Sequence, residues 1–241
     1  MLSSLPSIDK AVSDERDLGI AFRPAISGPE DDLLEEFLSR YRPRLRSDER
    51  CTLFRCPRLE TGYPDAVFVV WNQHAALQSL GRRIALTKTD LRLLHLLSSG
   101  RSYGDAELGE LFGSHARTSI ARLESSGLVR RCNDVCEFWP SSASFVVREI
   151  VAVEAKISSW AGALRQAERN TWFASRSWVL LPTVSPRSAV VADAARHGVG
   201  VLALDTMPRI PRIAARFPLP RSYASWLFNE WVLRALRRES Q

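Results

Sequence analysis

Two charged side chains stand at the end of a strongly apolar stretch. The segment IVAVEAKISSW, residues 150–160, has the composition of a buried strand, yet it contains Glu154 and Lys156 two positions apart. Side chains two apart in a strand point to the same face, so a carboxylate and an ammonium group lie together. Of the 33 Lys+Arg residues only three, Lys10, Lys88 and Lys156, are lysines. A chain that uses arginine almost everywhere therefore has a lysine at this strand end.

A second carboxylate is needed if this pair is to bind a divalent cation. The segment GYPDAVFVV supplies one, because Asp65 follows a Gly-x-Pro turn and begins an apolar, β-branched strand. Carboxylate oxygens are the hard ligands that Mg²⁺ prefers. The alternative for Asp65 is an ordinary turn residue after proline, and the alternative for Glu154 and Lys156 is a water-exposed ion pair at a strand end.

A Pro-Asp pair at the head of one strand and Glu-x-Lys on a later one resemble the PD-(D/E)XK nuclease superfamily. The resemblance implies an α/β fold, a restriction-endonuclease-like mixed sheet flanked by helices. It also implies that Asp65, Glu154 and the carbonyl of Ala155 bind Mg²⁺ or Mn²⁺. Lys156 would orient or deprotonate the attacking water and offset developing charge, a role that suits a compact ammonium group better than a guanidinium.

Two helical residues extend the resemblance. Gln166 is similar to a glutamine found in a subset of the superfamily, in which a tyrosine often follows four residues later; here that position is Asn170. A glutamate from the first helix often completes such sites, and on a helical wheel Glu30 falls within that helix's apolar stripe. Glu30 also lies three residues after Ser27, so a capping box is an equal alternative for it. A solvated helix residue is the alternative for Gln166.

Residues 80–140 interrupt this core with three short helices and a two-stranded hairpin, an order that resembles a winged helix-turn-helix. Its third helix, SHARTSIARLESSGLVRR, has Ala116, Ile120 and Leu123 as its inner face. The outward residues and the start of the wing have the types that contact bases and phosphates in duplex DNA. These candidates are Ser114, His115, Arg117, Thr118, Arg122, Arg130 and Arg131. A protein-binding winged helix is the alternative.

The predicted organisation has three parts. Residues 1–26 are a flexible arm, residues 27–79 and 141–241 form the discontinuous nuclease-like core, and residues 80–140 are inserted at a loop tip, where insertions are best tolerated. The tail helix is expected to pack on the core through residues such as Trp226 and Trp231. Four cysteines, Cys51, Cys56, Cys132 and Cys136, lack the two-residue spacing common in zinc sites, so small buried residues are favoured over a zinc site.

The bulk composition agrees with a DNA-binding protein without proving it. The net charge is +6 and the sequence pI is about 9.5, values that favour a polyanionic partner only if the basic residues cluster. No secretory signal or membrane-spanning run is recognisable, so a cytoplasmic location is expected. The expectation is a metal-dependent DNA nuclease. Many nucleases of the family that it resembles act as dimers to cut both strands, so the resemblance implies a homodimer as one assembly. The alternatives are a winged-helix transcriptional regulator on a catalytically inactive nuclease-like scaffold and an RNA-processing nuclease.

Overall fold

The computed structural model describes residues 8–10, 18, 21–81, 83–139, 144–183, 189–206 and 218–239. The chain divides into two compact units. The first comprises Met1–Ser13, Ala21–Val70 and Arg148–Pro220, and the second comprises Asp14–Ile20, Trp71–Val147 and Arg221–Gln241.

The first unit is an α/β unit built on a six-stranded sheet. In chain order its elements are β1 (Ile8–Lys10), α1 (Pro29–Arg40), β2 (Glu49–Arg55), β3 (Ala66–Asn72), β7 (Val147–Ala155), α6 (Trp160–Asn170), β8 (Arg176–Leu181), α7 (Ala189–Arg196) and β9 (Gly200–Ala203). The strand order is β1-β2-β3-β7-β8-β9. The predicted α/β class is confirmed.

The sheet is mixed. Strand β1 runs parallel to β2, and β7, β8 and β9 are parallel to one another. Strands β3 and β7 run in opposite directions, because Asp65 just before β3 contacts Ala155 at the end of β7, whereas Asn72 at the end of β3 bonds Val146 just before β7. This arrangement brings the head of β3 beside the tail of β7, although the two are far apart in the chain.

Alternate side chains of β8 belong to two cores, one on each face of the sheet. Trp178 and Leu180 of β8 pack with the apolar stripe of α1, whereas Val179 and Leu181 pack with α6 and α7. This alternation follows from the period of two in a strand. The stripe predicted for α1 is confirmed, since its buried side chains are Leu33, Leu34 and Phe37.

Residues 1–26 were expected to form a flexible arm, but the residues described in this range include ordered ones. Ile8–Lys10 forms the edge strand β1, and the side chain of Leu18 is fully buried. The remaining residues before residue 21 lie outside the described part of the chain. Three residues are too few for hydrophobic periodicity to distinguish a strand from a loop, so the sequence pattern could not predict β1.

Among its described residues, the second unit combines five helices with a three-stranded antiparallel sheet of order β4-β6-β5. Its elements are α2 (Gln73–Leu80), α3 (Lys88–Leu97), β4 (Tyr103–Gly104), α4 (Asp105–Phe112), α5 (His115–Ser125), β5 (Val129–Cys132), β6 (Val135–Phe138) and α8 (Tyr223–Glu239). The three predicted helices and the hairpin are all present. The unit begins earlier in the chain than predicted, because α2 also belongs to it.

Local sequence signals explain these boundaries. Thr87 caps α3 and forms a reciprocal capping box with Asp90, which satisfies two backbone N–H groups that the helix start would leave without partners. Asn133 and Asp134 both have positive φ, at 49° and 63°. That conformation is required at both centre residues of a type I′ hairpin turn and is tolerated best by glycine, asparagine and aspartate.

The C-terminal helix α8 belongs to the second unit, whereas the sequence analysis assigned it to the nuclease-like core. Glu230 of α8 forms a buried ion pair with Arg83 at 3.1 Å, and Asn229 accepts a hydrogen bond from the N–H of Val146 at 2.7 Å. Periodicity showed that α8 has an apolar face but not which surface it covers. Among the described residues, no helix combines the length and apolar character needed to cross a bilayer.

Candidate active site

A cavity of about 790 Å³ in the first unit is lined by every residue predicted to take part in catalysis. Those residues come from α1, the turn before β3, the end of β7 and α6. The structure therefore brings together the predicted set, which consists of Glu30, Asp65, Glu154, Lys156 and Gln166.

Asp65 lies in the turn just before β3. Its Oδ2 atom accepts a hydrogen bond of 2.8 Å from the backbone N–H of Ala155, from which it is separated by 90 residues of chain. Burial raises the pKa of the Asp65 carboxyl, and Glu30 raises it further. The Ala155 hydrogen bond and the Lys156 charge act in the opposite direction. Asp65 is thus fixed by the sheet itself rather than by a flexible loop.

Glu154 is buried, with only 3% of its surface exposed. Its Oε1 atom accepts a hydrogen bond of 2.7 Å from Nδ2 of Asn170 on α6. Burial, followed by the negative charge of Asp65, raises the pKa of Glu154 to about 8. A strand-end ion pair exposed to water is therefore the wrong description of this glutamate, because removing a carboxylate from water favours its neutral form.

Lys156 follows β7 directly, and its backbone N–H extends the ladder by bonding Leu180 at 2.9 Å. Its Nζ atom donates to Oε2 of Glu30 at 2.5 Å. Helix α1 has Gly28 at its N-cap and no side-chain cap, so the capping box considered for Glu30 is not formed. Glu30 holds the ammonium group in the cavity instead.

Asn170 is the site residue that the sequence analysis did not select, since it was noted only as a departure from the family pattern. It lies four residues after Gln166, a spacing that places two side chains on the same face of a helix. Both residues line the cavity. The signal that could have identified Asn170 is therefore this spacing on α6, together with its chemistry as a donor to a buried carboxylate.

The residues present agree with the coordination habits of Mg²⁺. Among the described residues, no group of three or more His, Cys, Asp or Glu side chains is arranged to hold a metal ion. Mg²⁺ commonly uses only one or two carboxylates and completes its octahedron with water and phosphate oxygens. Asp65 and Glu154 each use one carboxylate oxygen in the hydrogen bonds above, which leaves Oδ1 and Oε2 for a cation. A role of the Ala155 carbonyl as a ligand stays a prediction.

The predicted DNA-binding residues lie in the second unit and fall into two groups. Ser114, His115, Arg117 and Thr118 are exposed around the start of α5, and the predicted inner face of that helix is buried. Arg130 forms an ion pair with Glu137 at 3.0 Å and lies over the ring of Trp139, and Arg131 forms an ion pair with Asp105. Arg130 and Arg131 thus have partners within the unit.

Arg122 was expected to point outward, and its side chain is 34% exposed, but its guanidinium group is paired within the unit. Its Nε atom lies 2.9 Å from Oδ2 of Asp90, whose side chain is fully buried. The helical wheel of α5 could not show this, because the partner is the capping-box residue of another helix. Arg122 therefore compensates a buried charge instead of presenting its guanidinium group to a ligand.

We expect Arg122→Ala to lower the free energy of unfolding by about 1–3 kcal/mol, since it leaves a buried carboxylate without its cation. Arg117→Ala is the matched control, because Arg117 is exposed on the same helix and has no hydrogen-bond or ion-pair partner among the described residues. It should change stability by less than about 0.5 kcal/mol. Urea unfolding followed by tryptophan fluorescence measures both variants, and equal losses would contradict the assignment.

No family model matches the chain, and neither a curated protein nor a solved structure matches it.

Proposed function

We propose that this protein is a metal-dependent nuclease that hydrolyses phosphodiester bonds in DNA. One observation carries the proposal: Oδ2 of Asp65 bonds the N–H of Ala155 at 2.8 Å, across 90 residues of chain. That contact places an aspartate beside a strand end that also carries Glu154 and Lys156. Two carboxylates and an amine in one cavity form a set suited to phosphodiester hydrolysis.

The chemistry assigns a separate task to each side chain. Asp65 and Glu154 would hold Mg²⁺ or Mn²⁺, which supplies positive charge to the scissile phosphate when bound. Lys156 orients or deprotonates the attacking water and stabilises charge that develops on the phosphate. Glu30 positions Lys156, and Asn170 fixes the rotamer of Glu154. Gln166, half-buried on the same face of α6, is left to orient water or substrate.

The order of elements supports a nuclease-like core with an inserted winged helix. Residues 88–138 of the second unit have the order helix, strand, helix, helix, hairpin, and the short first strand β4 pairs with the last strand β6. The exposed Ser114, His115, Arg117 and Thr118 at the start of α5 favour double-stranded DNA as the partner. Arg130 and Arg131 are weaker support for a DNA partner, because each would have to break an ion pair within the unit to contact a phosphate.

The test is cleavage of supercoiled plasmid by the full chain in Mg²⁺ or Mn²⁺. We expect nicking that stops when the metal is chelated and that Asp65→Asn reduces by about 100-fold or more, because the variant loses a metal-binding charge but can still accept the Ala155 hydrogen bond. Asp205→Asn is the matched control, since Asp205 is an exposed aspartate of the same unit that does not line the cavity. Equal rates for wild type and Asp65→Asn would refute the proposal.

The second candidate is a DNA-binding regulator whose nuclease-like unit does not turn over. The observation that favours it is Asn170, which stands where the related subset has tyrosine and which holds Glu154 in a buried site. Tight binding of duplex DNA by wild type, without cleavage in either metal, would support this candidate. Preferential cleavage of structured RNA in the same assay would support an RNA-processing nuclease.

A further inference from the structure

Tyr63 lines the cavity two residues before Asp65 and is one of the large apolar side chains left exposed, at 36%. The turn that precedes it is held by three hydrogen bonds. Leu59 and Gly62 exchange two backbone hydrogen bonds, and Oγ1 of Thr61 accepts one of 3.1 Å from the indole of Trp172. An aromatic ring is therefore presented to the cavity from a rigid turn.

Arg23 lies over this ring, with its guanidinium carbon 5.0 Å from the ring centroid. Its backbone N–H bonds the carbonyl of Cys56 at 3.0 Å, beside a bridge between Phe22 and Pro57. The guanidinium charge also reaches Asp65, where it lowers the carboxyl pKa. Tyr63 and Arg23 thus form a fixed aromatic and cationic pair next to the proposed metal ligands.

Arg169 supplies another positive charge to the cavity. It is exposed on α6, it lines the cavity, and its charge reaches Glu154. Within the described part of the chain its guanidinium group has no hydrogen-bond or ion-pair partner. The other cationic side chains of the cavity are already paired, Arg55 with Asp31 at 2.7 Å and Lys156 with Glu30 at 2.5 Å.

We infer that this cavity takes an unpaired strand, with Tyr63 stacking on a base and Arg23 and Arg169 contacting backbone phosphates. Stacking on aromatic side chains and a basic groove are the two features by which proteins bind single strands. In a duplex the faces of the bases are stacked on one another and cannot reach such a ring. A volume of about 790 Å³ is that of a small-ligand pocket. The inference rests on the proposed function and specifies its substrate as a single-stranded or frayed segment.

The first experiment measures binding without cleavage, using fluorescence anisotropy of a labelled oligothymidine of about 12 nucleotides in EDTA. We expect Tyr63→Ala to weaken binding by roughly 5- to 100-fold, the usual effect of removing one stacking ring. Tyr63→Phe should bind within about twofold of wild type, since it retains the stacking face. A probe with one abasic position, moved along the strand, should abolish the difference between wild type and Tyr63→Ala at one position.

The second experiment tests the phosphate contacts. Arg169→Gln should weaken binding of the same probe and reduce the slope of log Kd against log salt by about 0.7, the value for one single-strand phosphate. Arg165→Gln is the matched control, because Arg165 is exposed on the same helix and does not line the cavity. Equal slopes of log Kd against log salt for Arg169→Gln and Arg165→Gln would show that Arg169 does not contact a phosphate.

The outcomes separate this inference from the nuclease proposal. Cleavage of DNA by wild type, together with unchanged binding by Tyr63→Ala, would overturn the inference and leave the nuclease intact. Stacking that depends on Tyr63, without cleavage in Mg²⁺ or Mn²⁺, would support the inference about the cavity and overturn the nuclease. Tyr63→Ala and Tyr63→Phe with equally weakened binding would indicate a role for the hydroxyl group and would also overturn the stacking assignment.

Discussion

Replacement of Lys156 by alanine is expected to reduce metal-dependent DNA cleavage by about 10²- to 10⁴-fold, the range for removing a group that transfers or holds a proton in the transition state. The amine is fixed by Glu30 at 2.5 Å in the cavity that holds both acids. It is only partly exposed, with 25% of its side-chain surface accessible. Initial rates of plasmid nicking at saturating Mg²⁺ measure the effect.

Lys88→Ala provides the matched control, because it removes the same side chain from an exposed position at the start of α3. Its cleavage rate should equal that of wild type. Circular dichroism should show both variants folded, since the Lys156–Glu30 pair is partly solvated and contributes little to stability. Retention of full cleavage by Lys156→Ala would exclude the lysine from the chemistry.

Replacement of Glu154 by glutamine is expected to stabilise the protein at high pH while preventing metal-dependent cleavage. The pKa of Glu154 is raised to about 8 in the folded chain, against about 4.3 in an unfolded one. A group with a raised folded-state pKa contributes stability below its unfolded pKa and loses it as pH rises through the folded value. Wild type should therefore lose stability between about pH 4.5 and pH 8 as the buried glutamate ionises.

Glutamine remains neutral across this range, and its carbonyl can still accept the Asn170 hydrogen bond. At about pH 9 the variant should be more stable than wild type by roughly 3–5 kcal/mol, and the two should converge near about pH 4. Urea unfolding at a series of pH values measures the difference. Glu110→Gln, at an exposed position, should follow the wild-type profile. Parallel profiles for wild type and Glu154→Gln would show that Glu154 ionises normally.

The sequence predicted the site well where the residues lie on regular elements. Asp65, Glu154 and Lys156 were found because strand periodicity and apolar runs identify strand ends, and antiparallel pairing of β3 with β7 then brings those ends together. Glu30 had two interpretations because Ser27 and Glu30 have the spacing of a capping box. In the structure Gly28 is the N-cap residue of α1, and Glu30 accepts a hydrogen bond from Lys156 instead of forming a capping box.

The sequence did not predict contacts that depend on which surfaces pack together in the folded chain. Tyr63 and Arg23 are brought together by a turn and by a short bridge, and neither has a periodic signature. On a helical wheel of α5, Arg122 falls on the face expected to point outward, but its long side chain contacts the buried Asp90 of α3. Helix α8 has an evident apolar face, and nothing in its pattern indicated that α2 and α3 would cover it.

The connection between β3 and β7 bears on the order in which the chain folds. Closing a flexible loop of about 90 residues costs entropy that grows with the logarithm of its length, about 0.6 kcal/mol for each doubling. Residues 71–147 fold as part of the second unit, which joins Asn72 to Val146 by a backbone hydrogen bond of 2.9 Å. Once that unit has formed, only a short tether separates Asp65 from Ala155. Mutations that melt the second unit should therefore also slow assembly of the two acids, even without touching either carboxylate.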